Sequence, residues 1–314
     1  MSNHVFFCLT PFHCHIAISI AKELDIVRQS TFLIITGKTE RSFISPISRI
    51  IKSGVKNDSV ITFGKWSGGR ALFFLIKHRG GCFYSANIKK LYSRLAIKAM
   101  NPSKIVTFDD GFGNISGAGY FYTKDVNIFK RAFLAITGLP EYEHLVSKVS
   151  KHYSIYPNLD NVYDVTEYIS ISYCDVKKES QQEPGERYDM VFVGSPLYES
   201  DLVKLDIEME KIEEVVSIFS GRILYLCHPR ESEEKLKKLH TYLPSLEIYK
   251  HHDIAEIFLL EEKDKIDAIV GFYSSVLFNI SSEFPKMVFG KKIEILGGST
   301  IYSKMAESGI SILE

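Results

Sequence analysis

IVTFDDGFGNISGAG, residues Ile105–Gly119, begins as a short apolar run and turns at once into a loop carrying Gly111, Gly113, Gly117 and Gly119. An apolar strand ending in glycines suits a buried parallel strand with a ligand at its carboxyl end, because glycine permits tight turns and close approach of backbone. Between strand and loop stand two adjacent carboxylates, Asp109 and Asp110. Neighbouring like charges tend to raise one pKa of the pair, which suits a general base. The same pair also reads as an Asp cap closing a strand. The surrounding chain has to decide.

Upstream, LYSRLAIKAM reads as a helix feeding this strand, and FYSA as the strand before it, with Asn87 in the loop at its end. Further out come the strand HVFFCL, the loop TPFH, a helix to about Leu24 and the strand TFLIIT ending at Gly37. A helix over about Phe43–Ser53 and the strand SVITFG follow. Continuous apolar strands alternating with helices mark a parallel sheet covered on both faces. Thr10 and Pro11 either cap and start the first helix or, with the first-turn amides, meet a ligand. Trp66, beside two glycines, reads as core or hinge packing, with sugar stacking as the alternative.

Downstream, NIFKRAFLAITG reads as a helix closed by Gly138. The interval DVKKESQQEPGERYD is the least apolar in the chain and contains Pro184–Gly185. It is the expected linker, with a boundary near Gln182 dividing the chain into 1–182 and 183–314. Beyond it the alternation restarts with MVFVGSPL, DIEMEKIEEVVSIFS, RILYLC, the HPRE loop and its helix, LEIYK, AEIFLLEE and DAIVGFYSS. KMVFG or KKIEILG supplies the last strands, and YSKMAESG a short helix. The expected fold class is therefore α/β, with two Rossmann-like doubly wound domains facing across a cleft.

Composition excludes several classes. Lys+Arg and Asp+Glu each total 38, so no general nucleic-acid footprint exists. Five scattered cysteines without a CxxC argue against a disulfide scaffold or structural zinc, and for a reducing compartment. The apolar start lacks a basic n-region and is broken by Pro11, His13 and His15, so it reads as strand and helix rather than leader. No apolar run reaches the roughly 18 residues of a membrane span.

In the second half, three loops follow strands: Gly194-Ser195-Pro196, His228-Pro229-Arg230 and Gly271–Ser275. His228, its backbone limited by Pro229, suits a proton or hydrogen-bond donor to phosphate, or a surface position. Ser274 and Ser275 open a helix and serve either as an N-cap or, with free amides, as an anion site. GxGxxG, the P-loop, the GxSxG elbow, HExxH and DxD are all absent, and no divalent-metal ligand set is visible.

The order Asp109-Asp110-Gly111, His228-Pro229, Ser274-Ser275 resembles the bacterial sialyltransferases, nearest the lipooligosaccharide and capsule enzymes of glycosyltransferase family 52. The TPFH loop and chain length agree, and the likeness runs from Pro11 to Ser275. It implies a GT-B fold, an acceptor-side domain 1–182 and a donor-side domain 183–314. It also implies CMP-sialic acid as donor and inversion without a metal or other cofactor. Asp110 is then similar to the general base, and His228 to the residue supporting the departing phosphate as general acid. Ser274 and Ser275 are similar to the donors to that phosphate, Pro229 belongs to the same donor-binding set, Gly194 and Ser195 line the cytidine, and Thr10, Pro11, Asp109 and Gly111 border the acceptor. In one branch the base comes from the second domain, which makes Asp201 the alternative to Asp110. The implied partner is a galactose-ended, lipid-linked glycan, and the branch admits a domain-swapped homodimer. Cytoplasmic residence follows, free or peripheral on the inner membrane, where KKLYSRLAIKAM and NIFKRAFLAI are amphipathic enough to touch an anionic leaflet. Two readings compete: a GT-B transferase using CMP-Kdo or a nucleoside-diphosphate sugar, and a nucleotide-binding protein without catalysis. A diphosphate asks for more positive charge, and only Arg230 lies in a motif loop.

Overall fold

The computed structural model describes residues 4–36, 40–64, 68–115, 117, 120–123, 128–157, 159–171, 187–251, 253–272, 274–280, 284, 287–290, 298–307 and 310–313. The chain divides into two compact units, residues 1–173 and 174–314. The boundary expected near Gln182 lies outside the described residues, as do Trp66, Gly119 and the KKIEILG alternative for a last strand.

Unit one runs β1 (His4–Cys8), α1 (Pro11–Glu23), β2 (Ser30–Ile35), α2 (Ile44–Lys52), β3 (Val60–Phe63), α3 (Gly68–Lys77), β4 (Cys82–Ser85), α4 (Leu91–Met100) and β5 (Lys104–Phe108). It continues through α5 (Ile128–Thr137), α6 (Tyr142–Val146), β6 (Val149–Ser154) and β7 (Thr166–Tyr168). The sheet order is β3-β2-β1-β4-β5-β6-β7, parallel throughout. The chain therefore starts mid-sheet, builds outward to β3, then crosses back to β4, which makes the gap between β1 and β4 a topological switch point.

Strand alternation explains the layering. Phe6 stacks on Phe32 at 5.0 Å on the face that α1 covers with Ile16, Ala17 and Ile20. Their neighbours Val5, Phe7 and Leu33 point the other way, onto Leu75 of α3 and Ala96, Ile97 and Met100 of α4. Each fully buried Phe or Leu contributes roughly 1.5–3 kcal/mol. Helix α1 starts where Thr10 Oγ1 accepts the His13 N–H at 3.2 Å, with Pro11 in the first turn. Thr10 and Pro11 thus fill the capping role, one of the two left open by the sequence.

Unit two runs β8 (Met190–Val193), α7 (Leu205–Val216), β9 (Ile223–Leu226), α8 (Glu233–Tyr242), β10 (Glu247–Tyr249), α9 (Ala255–Glu261), β11 (Ile269–Gly271), α10 (Ser275–Asn279), β12 (Met287–Gly290), α11 (Gly298–Glu307) and β13 (Ser311–Leu313). The order β10-β9-β8-β11-β12-β13 is again all parallel, with its switch point between β8 and β11. Both units are Rossmann-like. Helix α6 and strand β13 had no sequence signal: five and three residues are too short for a period to register.

Candidate active site

In unit one the carboxyl ends of β1, β4 and β5 are adjacent, and the loops leaving them converge on Asp110. His13, in the first turn of α1, places Nε2 2.8 Å from Asp110 Oδ1. Its Nδ1 accepts the Leu9 N–H at 3.2 Å, so the ring proton that reaches the carboxylate is the one on Nε2. From the loop after β4, Asn87 Nδ2 donates to Asp110 Oδ2 at 2.7 Å, while Asn87 Oδ1 accepts the amides of Lys89 and Lys90. Asn114 Oδ1 accepts the Asp110 N–H at 2.8 Å. Gly111 turns the chain with φ 63, a conformation glycine adopts without penalty. His13 is 1% and Asp110 23% exposed, so only the carboxylate can meet a ligand.

Burial works to raise the Asp110 pKa, but the attraction and hydrogen bond of His13, the charge of Lys90 and the Asn87 hydrogen bond outweigh it. The carboxyl lies well below the usual carboxylate range. This corrects the expectation that the adjacent carboxylate would raise it. Consecutive residues leaving a strand point apart, and Asp109 turns into the core. There its Oδ1 accepts from His152 Nε2 at 3.0 Å and Asn161 Nδ2 at 3.2 Å, and its Oδ2 from Ser154 Oγ and the Ile155 amide. Asp109 has no exposed surface, so it ties β5 to β6 instead of bordering a cleft as expected.

In unit two the loops after β9, β8 and β11 leave one sheet edge side by side. Strands lie about 4.8 Å apart, so the ends of β9 and β11, with β8 between them, stand roughly 10 Å from one another. The Arg230 amide donates to His228 Nδ1 at 3.1 Å, which leaves Nε2–H as the outward donor. Burial, then Arg230 and Lys235, push the His228 pKa down to about 4, against a small opposing pull from Glu199. His228 is thus a neutral hydrogen-bond donor, and any role as acid waits on an arriving anion. Pro229 is exposed beside it. Ser274 Oγ caps α10 by accepting the Val276 N–H at 3.3 Å, keeping its own O–H to donate, and Ser275 is half-buried. Ser195 is 3% exposed, and its Oγ has no hydrogen-bond partner among the described residues. Asp201 is exposed at φ 55, closing the short turn Tyr198–Ser200.

Beneath these loops lies a buried ionic cluster. Lys235 Nζ meets Glu208 Oε1 at 2.5 Å, Glu231 Oε1 at 2.7 Å and the Ser195 carbonyl at 2.8 Å. Glu231 also accepts from Tyr225 Oη and from the His228 amide, and Glu208 from the Tyr198 amide. Burial raises both carboxyls, with the Lys235 charge opposing. A Cβ on Gly194 would sit 2.6 Å from Glu231 Oε2, so this carboxylate accounts for the glycine. Sequence reading missed His13, Asn87, Glu208, Glu231 and Lys235 as supports. Only the i,i+4 spacing of Glu231 and Lys235 was a visible signal. Among the described residues no group of three His, Cys, Asp or Glu is placed to hold a metal ion.

The family model for glycosyltransferase family 52 matches residues 70–295. Sequence comparison with curated proteins finds no match. Among solved structures, the chain is similar to an α/β-galactoside α-2,3-sialyltransferase from the luminous marine bacterium Photobacterium phosphoreum. The TM-score is 0.58 at 12% identity, covering 99% of this chain and 98% of that one. A sialyltransferase GT-B domain from Photobacterium damselae gives TM-score 0.51 at 12% identity, covering 98% and 99%. The UDP-GlcNAc 2-epimerase of Methanocaldococcus jannaschii gives 0.56 at 13% identity, covering 100% and 89%. At such identities the likeness is of fold, and that fold is GT-B.

Proposed function

We propose, from the premise that this chain belongs to glycosyltransferase family 52, that it is a sialyltransferase. It moves sialic acid from CMP-sialic acid to a hydroxyl of a terminal sugar, galactose by resemblance, on a lipid-linked surface glycan. The observation that carries this reading is the pairing of site types. One ionised carboxylate with an open side stands on the carboxyl edge of the first sheet, and uncharged donors suited to a monophosphate stand on that of the second.

In this mechanism the acceptor oxygen attacks the anomeric carbon, whose bond to the phosphate oxygen breaks as CMP leaves, and the configuration inverts. The acceptor proton goes to Asp110. A carboxylate held at low pKa is a weak base, so it takes the proton late, once bond formation has made the hydroxyl acidic. His228 Nε2–H and the hydroxyls of Ser274 and Ser275 donate to the phosphate as its charge grows. Ser195, with Gly194 shaping its loop, lines the nucleotide side. No metal takes part. The protein works on the cytoplasmic side, where such acceptors are lipid-linked.

The test is a donor screen with CMP-sialic acid, CMP-Kdo and UDP-sugars, run on the wild type and three variants. Asp110→Asn should lower transfer by roughly 10²- to 10⁴-fold with CMP affinity nearly intact. His228→Ala should weaken CMP binding and transfer together. A nearly normal Asp110→Asn enzyme beside a dead Asp201→Asn enzyme moves the base to the second unit, and turnover of another donor alone overturns the sialyl assignment.

A further inference from the structure

Past β5 the chain comes back onto the turn that Asp110 opens. Phe121 is buried against Gly113, where a Cβ would meet its ring at 3.1 Å. The Tyr122 hydroxyl donates to the Asn114 carbonyl at 2.5 Å, and the side chain of the same Asn114 accepts the Asp110 N–H. A single residue thus links Tyr122 to Asp110.

A buried lysine from the loop after β4 holds the same segment. Lys89 is 4% exposed, and its Nζ donates to the carbonyls of Tyr120 and Thr123 and, at 3.0 Å, to Thr123 Oγ1. The ammonium also lies 4.8 Å from the ring centres of Tyr120 and Tyr142. The Lys89 amide donates to Asn87 Oδ1, and Asn87 Nδ2 holds Asp110. Segment 120–123 is therefore tied on two sides to the groups that hold the carboxylate.

Despite these ties Tyr120 is 49% and Tyr122 37% exposed. Lys89 stands over one face of Tyr120, so the open surface belongs to the rest of the ring. Rings anchored at one end and open at the other, close to an ionised carboxylate, suit a ligand with an apolar face and hydroxyls at its rim. They do not suit an anion, because the Lys89 charge is buried and spent on carbonyls. A pyranose has the required form. In galactose the hydrogens on C3, C4 and C5 share one face, while the hydroxyls project elsewhere.

We propose that Tyr120 and Tyr122 form a shelf for the apolar face of the acceptor's terminal sugar. The assignment rests on the function proposed above, in which Asp110 faces the acceptor, and adds the residues that select it.

Saturation-transfer NMR with methyl β-galactoside, with and without CMP, tests the shelf apart from any donor. The wild type should pass saturation chiefly to H3, H4 and H5 of the sugar, and the double variant Tyr120→Leu, Tyr122→Leu should lose most of it. In transfer from CMP-sialic acid to lactose, that variant should raise the acceptor KM by roughly tenfold with CMP affinity unchanged. Tyr120→Phe keeps the flat ring and should stay near the wild type. A wild type that gives no saturation in either condition, or a double variant that binds the galactoside equally, overturns the shelf. So does a double variant whose acceptor KM is unchanged. A galactoside signal lost in the variant, beside a wild type that turns over only another donor, leaves the shelf standing and defeats the sialyl reading alone.

Discussion

His228 is neutral in the free protein because its loop buries it and surrounds it with cations, which take its pKa from the ordinary 6.5 to about 4. That difference couples protonation to folding. Between these two values the unfolded chain binds a proton that the folded chain refuses, so stability falls as pH drops from about 6.5 to about 4. A His228→Gln variant cannot take up this proton. Its unfolding free energy should depend on pH less steeply across that window, by up to about 1.4 kcal/mol per pH unit. Chemical denaturation at several pH values measures it, and parallel curves for the two proteins would exclude a depressed histidine. Asp110 illustrates the opposite balance: its partners outweigh burial and hold it charged.

At the scale of elements, two of the three unit-two loops rest on one side chain. Lys235, fully buried in α8, links the Ser195 carbonyl to Glu231, whose other oxygen accepts the His228 amide, and to Glu208 of α7. Buried ion pairs contribute little net stability, but removing one partner strands the others. Lys235→Met should therefore cost roughly 3–5 kcal/mol in a denaturant melt and weaken CMP binding. Adding Glu208→Gln and Glu231→Gln should recover part of the stability, since the stranded charges are then gone. A single variant as stable as the wild type contradicts the cluster. Gly194 belongs to the same arrangement, since any side chain there would strike the Glu231 carboxylate.

At the scale of the molecule, both sheets use the same device: order reverses once, and the polar residues follow the strands beside the reversal or the next strand out. Under the proposed function, a departing monophosphate is met by donors from neighbouring strands of one sheet. Transfer from CMP-sialic acid should then persist in EDTA. Loss of activity in chelator that Mg²⁺ or Mn²⁺ restores would defeat the metal-free reading.

The sequence by itself determined the alternation of buried strands and helices, the two-unit α/β plan and the loops in which Asp110, His228 and Ser274 lie. Those signals are local, since apolar runs, glycines and prolines act on the few residues around them. Only the tertiary structure decided what surrounds each group. Asp109 and Asp110 are neighbours in the chain, yet one is locked in the core by His152, Ser154 and Asn161 while the other is held at the surface by His13 and Asn87. His13 is 97 residues from Asp110 in the chain, and Lys235 is 40 from the carbonyl it holds. Parallel sheets bring strand ends together through long crossovers, so the groups that set a carboxylate's pKa or a histidine's tautomer come from far away in the chain. No short window of sequence contains them.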